Sequence, residues 1–224
     1  MLETSVKKFN LGRYIDTTNF FLYNNQMKKI LVILILNLCI INPTLANDIE
    51  DFQIAGISLG ESALKLVSEN TIITSPQYTY KDDEFYSVDI MEKFGKYDAI
   101  QFHLKKDDKK YIIYGVSGGI LFGEAGKYYP KSEKICKNKS LKIEKDLDSL
   151  FSNAKKESKR TIGYGHPDPG VIRQDTYYFL DTGEVWLHCY TFSKKFKEKE
   201  ISYDNLRLTI LSEEFRVWMN TKAY

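Results

Sequence analysis

The chain has 224 residues, 43% of them hydrophobic and 28% charged, and its formal net charge is +2 at pH 7. A chain of this length can bury a sizeable hydrophobic core. Its acidic and basic residues nearly balance without a concentrated basic stretch, which excludes the charge pattern typical of nucleic-acid-binding proteins.

Residues 27–46 have the order of a secretory signal peptide. Two lysines precede an apolar run over residues 30–41, and the small-residue ending Thr44-Leu45-Ala46 follows it. The apolar run is about a dozen residues long, whereas a membrane-spanning helix needs about 20. We therefore expect cleavage after Ala46, with membrane contact only through the signal segment before cleavage. An uncleaved signal anchor is the alternative.

The predicted signal peptide divides the chain into three parts. Residues 1–26 form a polar leader that signal peptides normally lack, so we interpret them as a mis-called start or a disordered extension. Residues 27–46 are the signal peptide. Residues 47–224 are predicted to form a single domain that is periplasmic or secreted.

The first part of that domain is predicted to hold a short strand over residues 51–57 and then a helix. Ser58 and Glu61 have the spacing of a capping box, and the apolar residues that follow recur at helical spacing up to the break at residues 74–76.

Strands are predicted next, over residues 84–91, 97–105 and 110–116, the last two forming a hairpin. The pair Gly118-Gly119 is interpreted as a break or bulge. From residue 132 to about residue 158 the chain is rich in Lys, Glu and Leu at helical spacing, which predicts the longest helix. Residues 161–170 are predicted to be a loop because glycine and proline are frequent there.

A second hairpin pairs residues 174–180 with residues 184–192 across a turn that ends in Gly183. A solvated charge run over residues 194–200, a strand near residues 206–210 and a short helix capped by Ser212 complete the chain. Because hairpins dominate, we expect an α+β fold. It would have a mostly antiparallel sheet of about six strands, with one long and two short helices packed on one face.

Two cysteines, Cys136 and Cys189, remain after the predicted cleavage. An even number of cysteines in an oxidising compartment predicts a disulfide, which would close a loop of about 54 residues and stabilise the fold by about 4 kcal/mol. A free catalytic thiol at Cys189 is the alternative.

Catalytic signals are weak. The residues Gly56-Ile57-Ser58-Leu59-Gly60 match the G-x-S-x-G motif of a nucleophile elbow, the strand-to-helix turn that carries a catalytic serine. Such a turn normally follows several strands of a parallel sheet, which are absent from the prediction here. The capping box already explains Ser58. His166 and Asp168 are two potential ligands in a loop and do not make a metal site. We therefore predict no catalytic residue, metal or cofactor.

One strand offers a possible binding surface. In residues 184–192, alternation places Trp186, His188 and Tyr190 on one face and Val185, Leu187 and Cys189 on the other. Large side chains on both faces indicate either an exposed aromatic strip, suited to carbohydrate or protein surfaces, or burial under a loop or the last helix.

The segment from Phe52 to Leu64, together with the signal before it and a cysteine near the long helix, resembles small uncharacterised exported proteins of AT-rich bacteria. That resemblance implies no known activity. We therefore expect a non-enzymatic binding or interaction module whose partner is an envelope protein or a carbohydrate. The alternatives are an envelope hydrolase with an unrecognised site and a membrane-anchored assembly factor.

Overall fold

The computed structural model describes residues 49–162, 170–199 and 202–223. The predicted leader, the signal segment and its cleavage after Ala46 lie outside the described residues, as do His166 and Asp168. None of the helices that the model describes is both long and apolar enough to cross a membrane.

The described residues form one antiparallel sheet with helices, which confirms the predicted α+β class. The sheet has eight strands in the order β1-β2-β3-β4-β8-β7-β6-β5, rather than about six. Their bounds are β1 Gln77–Thr79, β2 Phe85–Ile90, β3 Ala99–Lys105, β4 Ile113–Phe122, β5 Lys155–Ile162, β6 Val171–Leu180, β7 Gly183–Phe192 and β8 Asp204–Ser212. Both predicted hairpins are present, as β3–β4 and β6–β7.

Four α-helices accompany the sheet within the described ranges, rather than three. They are α1 Glu69–Thr74, α2 Ser132–Leu150, α3 Lys194–Lys197 and α4 Glu213–Thr221. Ser212 caps α4 as predicted, since its hydroxyl accepts the Phe215 amide at 3.2 Å.

The helices lie on both faces of the sheet, so their predicted packing on one face is wrong. The face that carries Val185, Leu187 and Cys189, here called the disulfide face, shares a core with Leu147 of α2. The opposite face, here called the polar face, packs one end of its strands against α4. That second core contains Phe85, Tyr114, Trp186 and Leu211 of the strands and Phe215 and Trp218 of α4.

The prediction of a helix that begins at Ser58 is wrong, and the backbone conformation and hydrogen bonds of this segment explain the difference. Gly60 has φ +76°, and its amide donates to the Ile113 carbonyl at 2.9 Å. The Ile113 amide donates in turn to the Glu61 carbonyl at 2.9 Å. The segment therefore bridges to the start of β4 instead of coiling. Half of the capping box survives, since the Ser58 amide donates to the Glu61 carboxylate at 3.0 Å.

The predicted long helix is correct at its start and wrong at its end. It stops at Leu150, and Lys155–Ile162 forms the edge strand β5, which pairs only with β6 among the described strands. Nearly all of β5 is exposed, so its sequence lacks the apolar alternation that marks a strand. The predicted break at Gly118-Gly119 is also wrong, because β4 runs through both glycines.

Cys136 of α2 and Cys189 of β7 form a disulfide, with Cα atoms 5.9 Å apart. This pairing agrees with the sequence expectation and joins the long helix to the sheet on the disulfide face. A disulfide is consistent with an oxidising compartment.

Candidate functional site

The predicted binding residues Trp186, His188 and Tyr190 lie on the polar face of β7 and contact one another. The ring centroids of Trp186 and His188 are 5.4 Å apart, and those of His188 and Tyr190 are 5.9 Å apart. His188 is only 4% exposed, and Trp186 packs into the α4 core. The strand is therefore largely buried on both faces, which was the alternative to an exposed aromatic strip.

His188 belongs to a buried charged cluster. Its cross-strand neighbour Asp175 is also buried, and the Asp175 carboxylate lies 2.7 Å from Nε of Arg173. Burial and the positive charges of Arg173 and Arg207 lower the pKa of His188 to about 3. The imidazole is neutral near pH 7, and its pKa is far from the range that suits a general acid or base there. We interpret this cluster as structural.

The other predicted candidates do not assemble into a reactive site. Around Ser58, Ile54 and Ile57 bridge each other across two residues of positive φ, which is a tight turn and not a strand-to-helix elbow. Within the described ranges, no group of three or more His, Cys, Asp or Glu side chains is placed to hold a metal ion.

A cavity of about 380 Å³ lies on the polar face, at the end of the strands away from α4. It is here called the sheet cavity. Ala99 of β3 and Gly119 of β4 are cross-strand neighbours in its lining. A Cβ built on Gly119 would meet nothing closer than 3.8 Å. The cavity exists because these two neighbours present almost no side chain.

Hydrogen-bonding groups from four strands line the sheet cavity. Asp89 of β2 accepts from Nε2 of Gln101 of β3 at 2.7 Å, and Oε1 of Gln101 accepts from Nη1 of Arg207 of β8 at 3.4 Å. Ser117 of β4 shares a 2.8 Å hydrogen bond with Thr209 of β8. A chain of polar contacts therefore crosses the cavity wall and ends at a half-buried guanidinium.

Two further lining residues carry unsatisfied atoms. Nδ2 of Asn205 donates to the Tyr203 carbonyl at 2.9 Å, which fixes the orientation of the amide. Oδ1 of Asn205 and the hydroxyl of Ser202 are buried and have no hydrogen-bond partner among the described residues. Buried polar groups are normally paired, so these two atoms are exceptions within the described ranges.

Sequence reasoning missed this cavity. Alternation does assign Gln101 and Arg207 to the face away from the core, but it gives no order for the strands. Only the register, which puts Gly119 opposite both Ala99 and Arg207, brings these residues together.

The chain matches no protein-family model, no curated protein and no solved structure. No activity or ligand is therefore transferred to it from a relative.

Proposed function

We propose that the protein is an exported, non-enzymatic binding module that holds a small polar ligand in the sheet cavity. The signal-like order of residues 27–46 and the buried disulfide support a periplasmic or secreted location. An oxidising compartment allows the bond between α2 and β7 to persist.

The observation that carries this proposal is the sheet cavity itself. Its volume of about 380 Å³ is at the small end of the range of ligand sites. Its polar groups come from neighbouring strands of one sheet, which hold them in fixed positions. The histidines that the structure describes, His103 and His188, lie outside its lining, and burial lowers both pKa values to about 3. This favours binding over acid–base catalysis.

The test is a thermal-shift screen of the exported protein, recovered after expression of the full chain, against monosaccharides, sugar acids and small peptides. A ligand at 100 times its Kd stabilises by about 2.7 kcal/mol, which raises the Tm of a chain of this size by about 5–10 °C. Gly119→Leu should abolish that shift, because its side chain would enter the cavity without a backbone clash.

Glu157→Leu is the matched control, because it adds the same side chain at an exposed position of β5. It should leave the shift unchanged. If no compound stabilises the protein, or if Gly119→Leu binds as the wild type does, the proposal is wrong. Turnover of chromogenic esters or glycosides that Gly119→Leu abolishes would instead establish the hydrolase alternative. Recovery of the intact chain in the membrane fraction would favour the anchored alternative.

A further inference from the structure

We infer that the ligand of the sheet cavity is a hydroxylated monocarboxylate of the hexuronic acid class, with Arg207 as the partner of its carboxylate. This inference rests on the proposed binding function and specifies the ligand of that site.

Arg207 differs from the other arginines of the described ranges in its partners. Arg160 pairs with Glu133, Arg173 pairs with Asp175, and Arg216 pairs with two glutamates. Arg207 has no carboxylate within ion-pair distance among the described residues, and its hydrogen bond there is the 3.4 Å contact to Gln101. A guanidinium has five N–H donors, and most of those of Arg207 have no partner within the described ranges.

The geometry around Arg207 holds its guanidinium in position. Asp89 accepts from Nε2 of Gln101, which turns Oε1 of Gln101 toward Arg207. On the next strand, His188 is the cross-strand neighbour of Arg207, and on the other side the neighbour is Gly119. Because Gly119 has no side chain, the strand on that side of Arg207 leaves open space beside it. Such a positioned fork suits bidentate binding of a carboxylate.

The charge of the lining favours one negative charge over two. Asp89 and Arg207 both line the sheet cavity and bring one formal charge of each sign. A monoanion can pair with Arg207, whereas the second charge of a phosphate monoester meets no further cation among the described residues of the lining and is repelled by Asp89.

The remaining lining suits a body that carries hydroxyl groups. Ser117, Ser202 and Asn205 bring polar side chains to the lining, and a sugar hydroxyl can both donate and accept hydrogen bonds. Phe192 and Tyr203 also line the cavity and offer apolar ring surface to the C–H groups of a sugar. A ligand of one sugar ring is in keeping with the small volume.

The experiment is calorimetric titration of the exported protein with glucuronate, glucose and glucose 6-phosphate. Glucuronate should bind about tenfold or more tightly than glucose, because a charged hydrogen bond at Arg207 is added. Glucose 6-phosphate should bind more weakly than glucuronate. Arg207→Met keeps the apolar stem but removes the N–H donors, so it should abolish the preference for glucuronate over glucose.

Three results would overturn the inference: equal affinity of the wild type for glucose and glucuronate, stronger binding of glucose 6-phosphate than of glucuronate, or an unchanged preference for glucuronate in Arg207→Met. Circular dichroism and the Tm of Arg207→Met show whether it is folded. If it is not, Arg207→Lys takes its place and should reduce the preference for glucuronate over glucose. If another ligand binds and Gly119→Leu blocks it, the ligand class is wrong while the binding function stands. If nothing binds, both are wrong.

Discussion

Lys197 and Asp204 form an ion pair that is almost completely removed from solvent. Their side chains are 1% and 0% exposed, and Nζ lies 2.8 Å from Oδ2. Nζ also donates to the Lys127 carbonyl at 2.9 Å, while Oδ1 of Asp204 accepts the Phe192 amide at 2.9 Å. The pair therefore ties α3 to the strand ends and to the loop before α2, in a stretch predicted to be a solvated charge run.

Lys197→Met removes the positive charge and keeps the length of the side chain. The Asp204 carboxylate is then buried without its counter-charge, which should cost about 3–5 kcal/mol. Asp204→Asn in the same chain removes that orphaned charge and keeps an oxygen for the Phe192 amide. The double variant should therefore be more stable than Lys197→Met alone, since loss of both charges of a buried pair is often nearly neutral.

The measurement is urea unfolding of the exported protein at pH 7 for the wild type, both single variants and the double variant. Lys194→Met is the matched control: Lys194 is exposed on the same short helix, so it should change stability by no more than about 0.5 kcal/mol. The reasoning is refuted if Lys197→Met costs no more than this control. It is also refuted if the double variant loses the sum of the two single losses.

Three further predictions concern the disulfide, a buried histidine and the glycines of β4. Replacing both Cys136 and Cys189 by Ser should lower the free energy of unfolding by about 2–5 kcal/mol, measured in urea, and a smaller loss would contradict a structural role for the bond. Because burial lowers the pKa of His103 to about 3, its neutral form is favoured in the fold. Its contribution to the stability of the fold is complete above pH 6.5 and is lost as the pH falls toward 3. His103→Phe should therefore reduce the decline in Tm between pH 6.5 and 4.5, and an unchanged slope would refute this. Gly115→Ala should lower Tm, since its Cβ would lie 2.8 Å from two side-chain carbons, whereas Gly119→Ala should not; equal effects would contradict the packing described for β4.

The correct predictions of secondary structure come from segments with a strong hydrophobic periodicity or a clear turn residue. Alternation in β7 correctly places Val185, Leu187 and Cys189 against the long helix and Trp186 on the other face. The hairpin that includes β7 is marked by a glycine at its turn, and Gly183 cannot carry a side chain because the Leu211 backbone is too close. Local chemistry was enough for these elements.

The wrong predictions of secondary structure have one physical reason in common. In each case, pairing with a segment distant in sequence determines the local structure. Lys155–Ile162 has charged residues of high helix propensity, yet pairing with β6 makes it a strand. The Ser58 segment has a capping box, yet its amide and carbonyl groups find partners at Tyr111 and Ile113. The role of Gly119 could not be read locally either, because its open space depends on the strands beside it.

Ligand binding in the sheet cavity is tested most directly by the amide spectrum of the exported, isotope-labelled protein during titration with glucuronate. We expect saturable shifts confined to the lining of the sheet cavity, at Ala99, Gln101, Gly119, Asn205 and Arg207, and their loss in Gly119→Leu. Shifts centred on another surface, such as the exposed strand β5, or no saturable shift at all, would contradict binding in that cavity.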